Sequence, residues 1–340
     1  MNARKFLVGT SAIFIVIIFS LAVLELSLQA FFYMKNGHPL WSGHKNFTVG
    51  YVTPTEDQRQ YTLKPDYSDG QIKINEQGFR GDVITNDKQL ICVIGDSVPF
   101  GSGVPNGSTF SDFLDKHPVT QLKNLRVLNA GVPSYNLAQS FNAWRIELGS
   151  RKCNFLIVNA ANDVSLLDFY QSNWSQEKTW ASAGFNINQK TPIAIFHYVK
   201  KIFAHKAKTD SIAIERNIDL ILKRLESDIA EAVSFGIKVV LMPIQPCYYK
   251  SLPYNSPHSK SACKGYSDYE KLAINWNPLI SSINSGLFAM ANNRTIFFFD
   301  STSVLETGNV KDNAFVDFIH YSVSGNKLIA DRLASFIFDD

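Results

Sequence analysis

The sequence lacks the features that mark several common classes of protein. Its net charge is only +3, and no stripe of basic residues interleaved with aromatics occurs, so no nucleic-acid partner is expected. There is no Cys-x-x-Cys pair and no His-Glu-x-x-His, which leaves metal ligation without a framework; neither a metal nor a cofactor is expected. The Gly-x-Ser-x-Gly elbow of the α/β-hydrolases is absent. Gly101-Ser102-Gly103 is followed by Val104-Pro105 and not by Gly-Lys-Ser, which excludes a phosphate loop. No internal repeat or low-complexity tract appears. Cysteine is scarce, with four in 340 residues. Cys92 and Cys153 fall in or beside apolar runs and read as packed thiols. Cys247 and Cys263 flank a polar, tyrosine-rich loop and form a candidate disulfide.

The chain does have one long apolar run. Phe6 to Leu24 carries no charge, and Arg4 and Lys5 precede it. A hydrocarbon core needs about 20 such residues, and flanking positive charge keeps the preceding end in the cytoplasm. Residues 1–33 therefore read as a signal-anchor, with the rest of the chain outside the cytoplasm. The expected location is the cytoplasmic (inner) membrane, crossed once. A cleavable signal peptide is the rival reading. Its apolar core is ordinarily about 7–15 residues with small residues at −3 and −1. Ala30 would suit −1, but Leu28 at −3 is bulky.

Residues 34–88 are polar and rich in turn formers, a stalk and a short-strand lead-in, with Gln71–Asn75 alternating like an edge strand. From residue 89 to 340, short apolar runs alternate with helical periodicity. Strands are expected at Leu90–Ile94, Arg126–Asn129, Asn154–Asn159, Ile237–Met242 and Thr295–Phe299. Helices are expected at Ser108–Lys116, with Ser108 as N-cap, and at Leu137–Leu148, Ile214–Phe235, Asp268–Ala291 and Ser324–Phe338. Strand-helix alternation of this kind builds a parallel sheet with helices on both faces. Aromatic-rich insertions near 168–213 and 245–267 interrupt it.

In such sheets the chemistry sits outside the carboxyl ends of the strands. The first strand runs into Gly95-Asp96-Ser97, which alone would be an ordinary turn. Distant residues give it weight. Gly131 follows the second strand, where a backbone N–H can face a reacting oxygen and a side chain would crowd it. Asn162 follows the third strand and can donate its amide to the same oxygen. Asp317 and His320 precede the last helix, spaced so that the carboxylate can hold one imidazole nitrogen while the other faces Ser97. A serine hydroxyl needs such a base at neutral pH.

These four blocks, Gly-Asp-Ser, an isolated Gly, x-x-Asn-Asp and Asp-x-x-His, resemble those of the SGNH (GDSL-type) hydrolase superfamily, in order, from Ile91 to the C-terminus. The resemblance implies a flavodoxin-like three-layer α/β/α sandwich with a parallel five-stranded sheet. It also implies Ser97 as nucleophile, His320 as base, Asp317 as its orienter, and an oxyanion hole of Ser97 N–H, Gly131 N–H and the Asn162 amide. The chain departs from the pattern at Ala160, where the third block has Gly.

The expected activity is that of a membrane-anchored, extracytoplasmic serine esterase acting on O-acyl esters, O-acetyl above all, of a cell-surface polysaccharide. A polysaccharide O-acetyltransferase would use the same residues, and a lipid ester is a further substrate class. Tyr170, Trp174 and Trp180 can line a groove in which rings stack on sugars, although aromatics also pack insertions onto domains. A non-catalytic carbohydrate-binding module is the contrasting reading; intact Ser97, Asp317 and His320 argue against it.

Overall fold

The computed structural model describes residues 3–36, 50–84, 89–149, 153–159, 211–247, 269–307 and 313–338. The chain divides into two units, residues 1–48 with 185–209, and residues 49–184 with 210–340.

In the first unit the described element is α1 (Ala3–Asn36). It contains a 19-residue stretch, Ile13–Phe31, with mean hydropathy 2.3 and only 6% of it buried. Such a helix spans about 28 Å, close to the thickness of a hydrocarbon core. The Ser20 and Ser27 hydroxyls donate to the carbonyls of Val16 and Val23 one turn back, which satisfies them without water. The helix is long and apolar enough to cross a membrane, and a signal sequence has the same character.

The second unit is built on five parallel strands: β3 (Gln89–Gly95), β4 (Leu125–Gly131), β5 (Cys153–Asn159), β6 (Lys238–Leu241) and β7 (Ile296–Phe298), in spatial order β4-β3-β5-β6-β7. That is the flavodoxin-like order, with the first strand of the sheet in an interior position. Ile91 to Ile94 of β3, Leu156 to Val158 of β5 and Val239 to Leu241 of β6 are buried. Strands covered on both faces read as continuous apolar runs, and full burial of each large side chain contributes about 1.5–3 kcal/mol.

Helices cover the sheet in two groups. α3 (Phe110–Lys116), α8 (Ser301–Thr307) and α9 (Val323–Phe338) pack together, and α5 (Leu137–Ala143), α6 (Ser211–Ser234) and α7 (Tyr269–Met290) form the other group. A π-helical turn, Trp144–Leu148, extends α5. The short α4 (Pro118–Leu122) follows α3. The N-cap of α3 is Thr109, one residue after the expected Ser108. Its side chain accepts the Asp112 N–H while Asp112 reaches back to the cap, a complete capping box. The stop after α6 is Gly236, at φ +79°.

The described part of the lead-in, residues 50–84, belongs to this same unit. Its strands are β1 (Val52–Pro54) and β2 (Tyr61–Leu63), an antiparallel pair. The alternating Gln71–Asn75 segment is not a strand; it makes only the single bridges Ser68–Lys73 and Ile74–Arg80. Its alternation arises in turns closed by Asp69, whose carboxylate accepts the N–H groups of Gln71 and Ile72.

Cys92 and Cys153 are buried as expected but are not free thiols. They form a disulfide between β3 and β5, with Cα atoms 5.8 Å apart. The register of these neighbours shifts between Leu90, which pairs with Cys153, and Ile91, which pairs with Phe155. Burial of each strand was evident locally; the adjacency of two strands 61 positions apart was not.

Candidate active site

Gly95 ends β3 where only a glycine fits. Its φ is +146°, and an added Cβ would lie 1.5 Å from the Asn159 carbonyl oxygen on β5. The next residue, Asp96, is the N-cap of a one-turn helix, α2 (Ser97–Phe100), and its carboxylate accepts the Val98 N–H at 2.9 Å. Ser97 is thus the first residue of a helix, at the carboxyl edge of the sheet. The turn closes at Gly101, in the left-handed region at φ +80°, a conformation that favours glycine.

The segment before α9 brings the other two candidates to the same place. One oxygen of Asp317, Oδ1, accepts the N–H groups of Ile319 (2.9 Å) and His320 (2.8 Å). The other, Oδ2, lies 2.6 Å from His320 Nδ1. His320 Nε2 lies 2.7 Å from Ser97 Oγ. A carboxylate can only accept, so Nδ1 carries the proton and Nε2 is left to accept from the serine hydroxyl. Burial raises the affinity of the Asp317 carboxyl for a proton, but its hydrogen bonds and charge contact with His320 outweigh that and hold it below its ordinary value. The turn is braced by the Val316 N–H, which donates to the His320 carbonyl at 2.9 Å. His320 and Asp317 keep side-chain exposures of 19% and 39%, so a substrate can reach them.

Gly131 lies at the end of β4 beside α2. Its N–H, expected to face a reacting oxygen, donates instead to Oδ1 of Asn129 at 3.1 Å. Why the position is glycine is plain: an added Cβ would lie 2.5 Å from the Phe100 nitrogen. The backbone of the nucleophile turn rests directly on the sheet there. No hydrogen bond from the Ser97 N–H occurs among the described residues.

Asn162, Ala160, the aromatic trio Tyr170, Trp174 and Trp180, and Cys263 lie outside the described residues. Cys247 is disulfide-bonded. Its N–H donates to the Phe318 carbonyl at 2.8 Å, which ties the segment after β6 to the His320 turn. A cavity of about 810 Å³ opens at the other end of the sheet, between Trp144, Phe235 and Lys238, and takes no part in this arrangement. Among the described residues no cluster of His, Cys, Asp or Glu is arranged to hold a metal.

Two residues at the site drew no notice in the sequence. Asn129 is 4% exposed and its amide donates to the Pro99 carbonyl in α2 at 2.8 Å. Arg80, also buried, reaches the same turn from the lead-in. Neither sits in a local pattern that signals it; each matters through a neighbour distant in sequence.

No family model and no curated protein matches the chain. Solved structures do resemble it. A lipase/acylhydrolase from Enterococcus faecalis is 14% identical, with 73% of this chain and 95% of that one covered and a TM-score of 0.45. An acetylxylan esterase from Geobacillus stearothermophilus is 14% identical over 75% and 96%, at TM-score 0.44. A GDSL-like lipase from Bacteroides thetaiotaomicron is 13% identical over 75% and 91%, at 0.43. Identities and TM-scores this low assign nothing to this chain, and its chemistry is read from its own residues.

Proposed function

We propose that this chain is a membrane-anchored, extracytoplasmic serine esterase that removes O-acyl groups, O-acetyl above all, from a cell-surface polysaccharide through an acyl-enzyme. The observation that carries the catalytic part is the relay Asp317–His320–Ser97, with contacts of 2.6 and 2.7 Å, at the carboxyl rim of a parallel sheet.

The steps follow from the geometry. Ser97 Oγ attacks the ester carbonyl carbon while its proton passes to His320 Nε2, and Asp317 stabilises the resulting imidazolium. The tetrahedral intermediate collapses, His320 returns the proton to the departing alcohol, and the acyl group stays on Ser97. Water then attacks the acyl carbon as His320 takes its proton; the acid leaves and Ser97 recovers its hydrogen. The developing oxyanion is held by the Ser97 N–H and the Asn162 amide. Gly131 joins them by exchanging Asn129 for the oxyanion. Each such donor stabilises the transition state by about 3–4 kcal/mol. Nucleophile, base and donors all come from the chain, so the reaction calls for no cofactor.

Two observations support placement outside the cytoplasm: the apolar run of α1 with Arg4 and Lys5 ahead of it in the first turn of the helix, and the Cys92–Cys153 disulfide, a bond that persists in oxidising compartments. Tyr170, Trp174 and Trp180 supply the flat apolar faces suited to sugars.

The test is acetate release by the full-length protein in detergent from acetylated polysaccharide and, separately, acyl release from phospholipid, each with and without an acceptor sugar. The esterase reading expects acetate from the glycan regardless of acceptor. Product formed only with acceptor would make the protein an O-acetyltransferase, and activity on phospholipid alone would overturn the glycan assignment. A reporter fused after Asp340 should be active only outside the cytoplasm, and a mature chain beginning near Phe31 would refute the anchor.

A further inference from the structure

A four-residue helix has no interior to hold it in shape, since helix nucleation by itself is unfavourable. The turn that carries Ser97 is held from outside. The Ser97 carbonyl accepts from the N–H groups of Gly101 and Ser102, and Val98 accepts from Gly101. The Pro99 carbonyl accepts from Asn129. The carbonyls of Phe100 and Gly101 both accept from Arg80 Nη1, each at 2.7 Å, and that of Val104 accepts from Arg80 Nη2 at 2.6 Å. Every carbonyl at the carboxyl end of the turn therefore has a donor, and one side chain supplies three of the bonds.

Arg80 suits this place for reasons of charge and shape. The carboxyl end of a helix is its negative pole, which attracts a cation. The guanidinium is a planar fork whose two terminal nitrogens can serve separate acceptors, as an ammonium on a flexible stem does not. It lies over the Phe100 ring, 4.5 Å from the centroid, and the same ring stacks on Tyr51 at 5.3 Å. Its backbone N–H donates to the Asn129 carbonyl at 3.3 Å, which fastens the lead-in to the exposed edge of β4. Burial pushes the guanidinium down to about 10, so it is still a cation at neutral pH. Among the described residues no carboxylate pairs with it; its charge is spent on carbonyls.

We propose that Arg80 is a positioning residue for the nucleophile: it fixes the turn that sets the Ser97 hydroxyl against His320, so that the lead-in, outside the sheet, is part of the catalytic apparatus. The inference rests on Ser97 being the nucleophile, and the test separates the two claims. The readout is the rate at which a fluorophosphonate phosphonylates Ser97, with loss of fluoride, in full-length protein, expressed per folded molecule by circular dichroism. Arg80→Lys should react about ten- to a hundred-fold more slowly than wild type, the scale on which small misplacements of reacting groups are felt. Ester turnover should fall alike, in kcat with KM little changed. Free guanidinium added to Arg80→Ala should recover part of the rate. Should the alanine variant not fold, Arg80→Gln, which keeps one short donor group, takes its place beside the lysine variant. Variants that melt earlier but react at the wild-type rate would show a purely structural role and overturn the proposal. Wild type that is not phosphonylated at all would remove the nucleophile reading, and this inference with it.

Discussion

The two ends of the parallel sheet are held by different means. At the carboxyl rim, Ser97, His320 and Asp317 are joined by hydrogen bonds of 2.6–2.8 Å in a partly open setting. In the amino half, Cys92 and Cys153 are joined covalently. Nearby, the Asp115 carboxylate grips both Arg126 and the Val127 N–H at the start of β4. The roomy cavity is at the amino end, beside Trp144 and Lys238, yet the assembled chemistry is at the other. Strand direction, more than available volume, locates the candidate site here. The amino half fixes the frame, and the rim spends that rigidity on orientation.

If this contrast holds, changes at the rim should act chiefly on turnover, the Asp317 carboxylate being a rim group that also adds stability, and changes in the amino half should act chiefly on stability. The largest effect is expected at the nucleophile and its base. Ser97→Ala and His320→Ala should each lower kcat by about 10³–10⁶, with little further loss in the double variant, because the members act as a unit. Additive losses in steady-state kinetics would show that they do not share a step. Next comes the disulfide. Replacing Cys92 and Cys153 by alanine frees a loop of 61 residues and should cost about 4 kcal/mol of stability by loop entropy. Urea titration reads this, and kcat of the folded fraction should stay within a few-fold of wild type.

Asn162→Ala tests the proposed oxyanion donor. It should lower kcat by about 10²–10³ with KM little changed, as for a donor used in the transition state. Asn162→Asp should do worse, since it adds negative charge beside an oxyanion. A kcat near wild type would leave the oxyanion to backbone donors alone.

The rim also has a signature in pH. The Asp317 carboxyl is held below its ordinary 3.8 in the folded protein. A depressed carboxylate contributes stability in full above its unfolded value and loses it as pH falls through the folded one. The advantage in Tm of wild type over Asp317→Asn should therefore be constant at neutral pH, begin to decline as pH falls past about 3.8, and vanish once pH is below the folded value. An advantage that persists there would mean that the carboxylate is not what His320 stabilises. The smallest effect is expected in the β1–β2 loop. Gln60 sits at φ +67°, and its buried side-chain oxygen has no hydrogen-bond partner. Gln60→Gly should raise stability by up to about 1 kcal/mol, net of the entropy glycine adds to the unfolded chain, with turnover unchanged.

Much of the fold was legible because buried parallel strands write themselves as apolar runs. Ile91–Ile94 and Leu156–Val158 could hardly be anything else. Ser97, Asp317 and His320 were legible because their neighbours are fixed by short spacing: Asp96 caps the turn locally, and Asp317 binds His320 three residues on. What escaped depended on contacts between distant segments. The sulfur bridge needed the β3–β5 register, and Arg80 needed the knowledge that the lead-in crosses the edge of β4. The alternation of Gln71–Asn75 misled because period two also arises in successive turns, where local side-chain acceptors replace a strand partner.

The contact between Gly131 and the Phe100 nitrogen has a practical consequence. Alanine at position 131 would keep the backbone N–H, the hydroxyl, the imidazole and the carboxylate, and add one methyl group where 2.5 Å is available. That methyl would act as a wedge under the nucleophile turn, displacing it without altering any charge or hydrogen-bonding group. Under the proposed esterase reading, such a protein would be an inactive decoy with native surface chemistry, suited to trapping an intact ester that the wild type would consume.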